Sequence, residues 1–111
     1  MDNSYYDSAH LKEFSKIGDH RPELAEKYFA WYSEVMGEGA LSAREKALIA
    51  LSVAHALQCA YCIDSYTQKA LAAGGDIEQM TEAVHVSALV RSGATLVHGM
   101  QMKDRHDSVS M

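Results

Sequence analysis

The chain has 111 residues, of which 48% are hydrophobic and one is proline, and its formal net charge is -5. That length provides for one compact domain with its own core and leaves no room for a second. The acidic balance, without any cluster of lysine and arginine, argues against nucleic acid and anionic membrane surfaces as partners.

The sequence also lacks the patterns of export and membrane insertion. Its first seven residues are polar and acidic, unlike the basic start and apolar stretch of a secretory signal. The longest apolar run, residues 47–57, contains Ser52 and His55 and is far shorter than the roughly 20 residues that span a bilayer. We therefore expect a cytoplasmic protein, in which cysteines are catalytic or metal-binding more often than structural.

Apolar residues at helical spacing predict two helices within residues 1–40. The first is expected over residues 7–17. The second begins near Pro22, a residue favoured in the first turn, and ends at Gly37. One face of this second helix is expected to meet the core or another subunit. Its large side chains are Leu24, Tyr28, Trp31, Tyr32 and Val35.

The next helix is the most apolar of the chain. Ser42 and Glu45 have the spacing of a capping box, and the helix is predicted from Arg44 to about Leu57. Apolar residues occupy nearly every position between Ala47 and Leu57 rather than one stripe. Since a helix that is apolar all round must be covered all round, we expect part of its surface to contact another subunit.

Two further helices complete the predicted dithiol-bearing part of the domain, residues 41–102. One covers Cys59–Ala73, and the last begins at a second capping box, Asp76 with Gln79, and continues to about Met102. The polar tail, residues 103–111, is expected to be loose. No segment alternates as a strand would. The fold class is therefore predicted to be all-α, a compact single-domain helical bundle over the whole chain.

Cys59 and Cys62 form a Cys-x-x-Cys motif where one apolar helix ends and the next begins. A cysteine in the first turn faces the positive end of the helix dipole and unpaired N–H groups, which favour the thiolate. The spacing places the second sulfur one turn on, within reach of a disulfide. We predict a redox-active dithiol in which one thiol attacks and the other resolves the product, without a cofactor or a metal.

His55 and Tyr66 are the candidates to assist these thiols. His55, four residues before the first cysteine, is interpreted as a base or as a cation that lowers a thiol pKa. The alternative is a core histidine bonded to a backbone carbonyl. Tyr66 shares the helical face of Cys62, and an unperturbed phenol, with a pKa of about 10, donates a hydrogen bond rather than accepting a proton. Weaker candidates on the last helix are His85 and His98.

Residues 45–54, followed by Cys59-Ala60-Tyr61-Cys62-Ile63, resemble the carboxymuconolactone decarboxylase superfamily, and within it the AhpD-like alkylhydroperoxidase branch. The similarity covers roughly residues 41–101. It implies an all-helical domain that assembles into trimers or hexamers, and a dithiol that reduces peroxides or disulfides with electrons from an external dithiol. It also implies that Cys62 is oxidised to a sulfenic acid, while Cys59 assists and resolves.

The sequence departs from the AhpD pattern at two relay positions. AhpD-type enzymes have a histidine four residues after the second cysteine, where this chain has Tyr66, and a glutamate twelve residues before the first, where it has Ala47. His55 and Glu45 are the candidates to substitute for them. We predict an enzyme all the same: an alkylhydroperoxidase-like, thiol-dependent oxidoreductase that acts as a peroxidase or disulfide reductase.

The motif is also compatible with three roles outside catalysis. The first, suggested by the absence of the AhpD relay histidine and glutamate, is a redox-responsive binding or assembly module with little turnover. A metal site built from Cys59, Cys62 and nearby histidines is the second, although zinc usually takes four ligands and the chain has no second Cys-x-x-Cys. The pair could also simply pack in the core, since cysteine is among the most buried residue types.

Overall fold

The computed structural model describes residues 7–110, and over this range the chain is helical without any strand. The predicted all-α fold is therefore confirmed. Five α-helices and one short 3₁₀ segment follow each other along the described residues. They are α1 (Ser8–Lys12), the 3₁₀ segment (Phe14–Gly18), α2 (Pro22–Met36), α3 (Ala43–Ala56), α4 (Ala60–Ala72) and α5 (Ile77–Val109).

The predicted first helix over residues 7–17 is wrong in one respect, because it is broken at Glu13. The second piece has the tighter 3₁₀ winding and leads into a close contact with α2. Gly18 is buried there, and a Cβ at this position would lie 2.2 Å from the Cβ of Ala25. Glycine thus allows the connection to pack directly against α2.

Both predicted capping boxes are present. Ser42 Oγ accepts the Glu45 N–H at 3.0 Å, and Glu45 Oε1 accepts the Ser42 N–H at 2.8 Å. At the start of α5, Asp76 Oδ1 accepts the Gln79 N–H at 2.8 Å and Gln79 Oε1 accepts the Asp76 N–H at 3.1 Å. These bonds satisfy N–H groups that the first turn of a helix leaves unpaired, and they fix where α3 and α5 begin.

The core lies along one side of α3, which packs against α4 and α5. Its buried members are small apart from Leu51 and Met80. Ala47 is 2% exposed and Ala70 is fully buried, so the helix backbones can approach closely at these positions. The opposite side of α3 is not covered within one chain. The large side chains on that side that are at least half exposed are Ile49 and Val53, and Leu57 just after the end of the helix is exposed as well.

The last helix differs most from expectation. The predicted loose tail from residue 103 is wrong, because α5 continues to Val109. No glycine or proline interrupts residues 103–109, so nothing in the sequence stops the helix. α5 has 33 residues, yet no described helix combines the length and apolar composition needed to cross a membrane. Its exposed large apolar side chains are Ile77, Val86, Leu89, Val90, Leu96, Val97, Met100, Met102 and Val109.

Leu51→Ala tests whether the core is centred on α3. Leu51 is the largest fully buried side chain, so its truncation leaves a cavity and should lower the free energy of unfolding by about 2–5 kcal/mol. Leu71→Ala, at a position that is 56% exposed, is the matched control and should change it by less than about 0.5 kcal/mol. Urea unfolding at one protein concentration measures both. Equal losses would contradict a core centred on Leu51.

Candidate functional site

The two cysteines lie at a tight junction between α3 and α4. α3 ends at Ala56, and Gln58 adopts a left-handed conformation with a φ of 55° that turns the chain. Cys59 then occupies the N-cap position of α4, and its N–H donates to the Ala54 carbonyl at 3.1 Å. The end of one helix therefore fixes the start of the next, and the motif has little freedom to move.

Cys59 and Cys62 are joined as a disulfide, with a Cα–Cα distance of 5.2 Å. Disulfide-bonded residues usually have Cα atoms about 4.4–6.8 Å apart, so the backbone is already placed for the bond. The pairing expected from the spacing of the two cysteines is thus present. Because Cys59 is the N-cap of α4 and Cys62 lies in its first turn, the bond can open and close with little movement of the backbone.

The two sulfur atoms differ in their electrostatic surroundings. Cys59 Sγ accepts a hydrogen bond from the Cys62 N–H at 3.2 Å, in the place where an oxygen usually caps a helix. This donated N–H and the positive end of the α4 dipole both stabilise negative charge on the Cys59 sulfur. In the reduced protein, Cys59 is therefore the better placed of the two to be a thiolate.

The two sulfur atoms differ in access as well. Cys62 lines a surface depression of about 470 Å³ formed by α2, α3 and α4, here named the aliphatic groove. Cys59 does not line it. Besides Cys62 and Tyr66, its walls include Val35, Leu41, Ile49, Val53 and Leu57. A molecule that enters this groove therefore meets Cys62 rather than Cys59.

A second depression is also lined by Cys62. The aromatic pocket, of about 210 Å³, lies under α1 and the 3₁₀ segment and also contains Cys62 and Tyr66. Its rings make edge-to-face contacts, with the Phe14 and Phe29 centroids 5.8 Å apart and those of Tyr28 and Phe29 5.2 Å apart. Cys62 and Tyr66 thus line both depressions. The remaining lining residues include Tyr32, Tyr61, Ser65 and Lys69.

Tyr66 lies one turn after Cys62 and lines the same two depressions. Burial raises the pKa of its phenol to about 12, and hydrogen bonding to Tyr32 acts in the same direction, against the opposing charge of Lys69. The hydroxyl therefore stays protonated at physiological pH. The raised pKa makes Tyr66 a weaker acid than a free phenol, so at physiological pH it is suited to donating a hydrogen bond and unsuited to acting as a base.

His55 is not brought into either depression. Its Nδ1 is 2.8 Å from the Leu51 carbonyl, so Nδ1 holds the proton and Nε2 is the acceptor in the neutral ring. Because α3 ends at Ala56, His55 and Cys59 do not lie on one continuous helix and do not share a helical face. The bond to a backbone carbonyl is the one expected of a core histidine, and assistance to a thiol stays a prediction.

Glu45, the candidate substitute for the relay glutamate, also lies outside both depressions. Glu45 is held by Ser42, and this hydrogen bonding lowers the pKa of its carboxyl. Ala47 is buried in the core. His85 and His98 are exposed on α5. Within residues 7–110, no three histidine, cysteine or acidic side chains converge as a metal site would require.

Two polar residues of the aromatic pocket were not predicted from the sequence to belong to the site. Lys69 Nζ donates a hydrogen bond to the Tyr32 hydroxyl, and it lies 4.6 Å from the centroid of the Tyr32 ring and 5.2 Å from that of Tyr66. Lys69 follows Tyr66 by three residues on α4, so helical spacing alone could have placed it on the face of Cys62. The contact with Tyr32, from α2, required the tertiary structure.

Comparison with known proteins assigns most of the chain to one protein family. The family model of the carboxymuconolactone decarboxylase family matches residues 22–102. A Paracoccus denitrificans protein described as uncharacterized protein 4 in cox locus is 38% identical over 91 residues, which are 82% of this chain and 79% of that protein. A crystal structure of a Methanobacterium thermoautotrophicum protein superimposes with a TM-score of 0.72 at 32% identity, covering 76% of this chain and 94% of that one.

Tyr66→Phe tests the environment of the phenol. The difference in tyrosinate absorbance between wild type and variant should show Tyr66 ionising near pH 12. Since the unfolded phenol has a pKa of about 10, burial of the neutral form contributes stability that is fully present below about pH 10 and is lost as the pH rises towards 12. The variant should lack this part of the alkaline decline. A Tyr66 titration near pH 10 would contradict the assignment.

Proposed function

The chain belongs to the carboxymuconolactone decarboxylase family, and from this membership we propose that it is a cytoplasmic, AhpD-like, thiol-dependent oxidoreductase. The observation that carries the proposal is the disulfide at the start of α4, with Cys59 at the helix N-cap and Cys62 open to two depressions. One sulfur is placed to hold negative charge and the other to meet a substrate. This division suits a two-cysteine redox cycle.

In the oxidative half of the cycle, the Cys59 thiolate takes the proton of the Cys62 thiol, and Cys62 attacks the terminal oxygen of a hydroperoxide. The O–O bond breaks, Cys62 becomes a sulfenic acid, and the leaving alkoxide takes a proton to become an alcohol. The Tyr66 hydroxyl, neutral and on the same helical face, is the proposed proton donor. Cys59 then attacks the Cys62 sulfur, the disulfide forms and water leaves.

In the reductive half, an external dithiol opens the disulfide. Its thiolate attacks Cys62, because this is the sulfur that faces the two depressions. Cys59 leaves as a thiolate, and the Cys62 N–H that already points at it stabilises the new charge. The second thiol of the donor then attacks the donor's own sulfur in the mixed disulfide, and Cys62 leaves as a thiolate that takes up a proton. The donor departs as a disulfide, and both protein cysteines are again reduced.

The aliphatic groove indicates the kind of oxidant. Its volume of about 470 Å³ falls within the roughly 300–1,000 Å³ of small-molecule sites, and its walls are apolar side chains of α2 and α3. Such a groove stabilises an organic group through burial and offers nothing comparable to hydrogen peroxide. We therefore favour an organic hydroperoxide or an apolar disulfide as the substrate that reaches Cys62.

We also propose a homo-oligomer, a trimer or hexamer. The uncovered side of α3 and the outer faces of α5 expose many large apolar side chains that a single chain leaves unburied. Contiguous exposed apolar surface of this kind is typical of subunit interfaces. Leu57 is 69% exposed and also lines the aliphatic groove beside Cys62, so assembly and dithiol are neighbours. This proximity favours the second candidate, a module whose assembly responds to oxidation with little turnover.

Single replacements of the two cysteines separate their proposed roles. Cys62→Ser should reduce peroxide consumption in the presence of a dithiol to the uncatalysed rate, because the attacking sulfur is gone. Cys59→Ser should still be oxidised once, and then accumulate a sulfenic acid or a mixed disulfide on Cys62, because no resolving thiol remains. Peroxide assays and intact-protein mass spectrometry measure both outcomes.

Two results would overturn the assignment. Full peroxide turnover by Cys62→Ser would remove Cys62 from the chemistry. A stable adduct on Cys59 in that variant, with none on Cys62 in Cys59→Ser, would exchange the two roles. Wild-type protein that changes oligomeric state on oxidation, with peroxide consumption at background, would instead support the assembly module.

A further inference from the structure

The aromatic pocket contains both a sulfur atom and an ammonium group, placed apart along α4. Cys62 and Lys69 line it seven residues apart, which is about 10 Å along a helix that rises about 1.5 Å per residue. Lys69 Nζ is 5.2 Å from the centroid of the Tyr66 ring, and Tyr66 lies between the two residues in the sequence. The side chain of Lys69 therefore reaches back along α4 towards Cys62. A single small molecule in this pocket can contact both groups.

The other walls of the aromatic pocket favour a ring as the occupant. Phe14 and Phe29 lie edge to face, with centroids 5.8 Å apart and planes at 86°, and Tyr28 meets Phe29 in the same way at 5.2 Å. Aromatic rings prefer such edge-to-face or offset contacts with one another. The pocket volume of about 210 Å³ is below the roughly 300–1,000 Å³ of sites for drug-sized molecules, so it has room for one ring with its substituents.

The ammonium group of Lys69 keeps donors for a ligand. Within residues 7–110 it donates to one oxygen, the Tyr32 hydroxyl, and a lysine has three N–H donors. Burial raises the pKa of Tyr66 to about 12, so no tyrosinate at that position offsets the charge of Lys69 at physiological pH. An anionic group in the pocket would therefore find a positive charge and two N–H groups.

No negative charge in the walls of the pocket opposes Lys69. Among the described residues that line it, Lys69 is the only charged one and none is acidic. Asp64 and Lys12 line the adjacent depression, where Gln68 donates to Asp64 Oδ1 at 2.8 Å, and their opposite charges add little net field. The chain as a whole has a formal net charge of -5. A local positive charge in an acidic protein attracts an anionic ligand to this pocket rather than to the surface elsewhere.

The aliphatic groove differs from the aromatic pocket in this respect. Lys46 lines it, but its Nζ donates to the Val35 carbonyl at 2.7 Å and the Gly37 carbonyl at 2.5 Å. It therefore closes the C-terminal end of α2, where helix carbonyls lack partners. The two depressions that share Cys62 thus have different preferences, one for an apolar group and one for a ring with an anionic substituent.

We propose that the aromatic pocket binds an aryl carboxylate, with its ring among Phe14, Tyr28 and Phe29 and its carboxylate on Lys69. The inference rests on the proposed dithiol chemistry and names a substrate class for it. That class is a disulfide with an aryl carboxylate on one sulfur and an apolar group, for the aliphatic groove, on the other. The two halves then meet at Cys62, which lines both depressions.

The reaction transfers two electrons from the protein dithiol to the substrate disulfide. Cys62, after the Cys59 thiolate has taken its proton, attacks the sulfur that carries the apolar group. The S–S bond of the substrate breaks and the aryl thiolate leaves, because an aryl thiol has the lower pKa and is the better leaving group. Cys59 then attacks the Cys62 sulfur, its proton passes to the departing apolar thiolate, and the protein disulfide forms.

The kinetic test mixes reduced protein with one of two chromogenic aryl disulfides, the dianionic dithiobis(nitrobenzoate) or the neutral dithiodipyridine. Lys69→Met should lower the rate constant for the nitrobenzoate reagent about tenfold, the effect expected of one charge-assisted hydrogen bond, and leave that for the dipyridine reagent unchanged. Lys69→Arg, which keeps a charge and donors, should restore most of the loss. The matched control Lys27→Met removes an exposed charge from α2 and should react like the wild type with both reagents.

A binding measurement tests the pocket without any thiol reaction. The oxidised protein is titrated with para-toluate and with its uncharged match, para-toluamide, and NMR follows the aromatic side chains. Toluate should bind the wild type and Lys69→Arg about tenfold more tightly than it binds Lys69→Met. Toluamide should bind all three proteins alike, and more weakly than toluate binds the wild type.

Three outcomes would overturn the inference. They are an unchanged rate of Lys69→Met with the nitrobenzoate reagent, equal slowing with both reagents, and toluate that binds no more tightly than toluamide. Equal slowing would mean that Lys69 acts on the thiols rather than on the carboxylate. Toluate binding by a protein whose thiols react with neither reagent would instead refute the proposed function and uphold the anion site.

Discussion

The hydrogen bond from the Cys62 N–H to the Cys59 sulfur is the interaction on which the site depends. It makes a sulfur atom the cap of α4, so the charge preference of one cysteine is built into the start of a helix. The left-handed turn at Gln58 allows it, since the turn ends α3 and directs Cys59 into the N-cap position. Cys62 then falls one turn on and faces outwards, into the two depressions.

The packing around α3 keeps this junction in place. Alanines at 47 and 70 let the helix backbones approach closely, and Leu51 fills the space between α3 and its neighbours. The same small side chains give a single chain a small core, and large apolar side chains on the far side of α3 and along α5 stay exposed. The homo-oligomer that we propose would cover these exposed side chains.

Local sequence signals predicted much of this arrangement. Ser42 and Asp76 mark the starts of α3 and α5 because capping depends on residues only three apart. The Cys-x-x-Cys spacing predicted a pair close enough for a disulfide, and the motif around it led to the family that the comparisons confirm. In each case the interaction lies within one helical turn, where sequence determines geometry directly.

Features that depend on distant contacts or weak local preferences were not predictable. The break at Glu13 accompanies the packing of Gly18 against Ala25, a contact that spacing within one helix does not reveal. The polar end of α5 lacks both a stop signal and an apolar stripe, so its helicity to Val109 was missed. The hydrogen bond between Lys69 of α4 and Tyr32 of α2 joins residues 37 positions apart, so no local pattern reveals it.

The most direct test of the central claim is a stoichiometric one. Fully reduced protein is mixed anaerobically with one equivalent of cumene hydroperoxide, and free thiols and product alcohol are counted. We predict that both of the chain's cysteines are consumed, that one alcohol forms per chain, and that peptide mapping finds the Cys59–Cys62 disulfide. Thiols that persist while the hydroperoxide stays intact would contradict a redox-active dithiol of the peroxidase type.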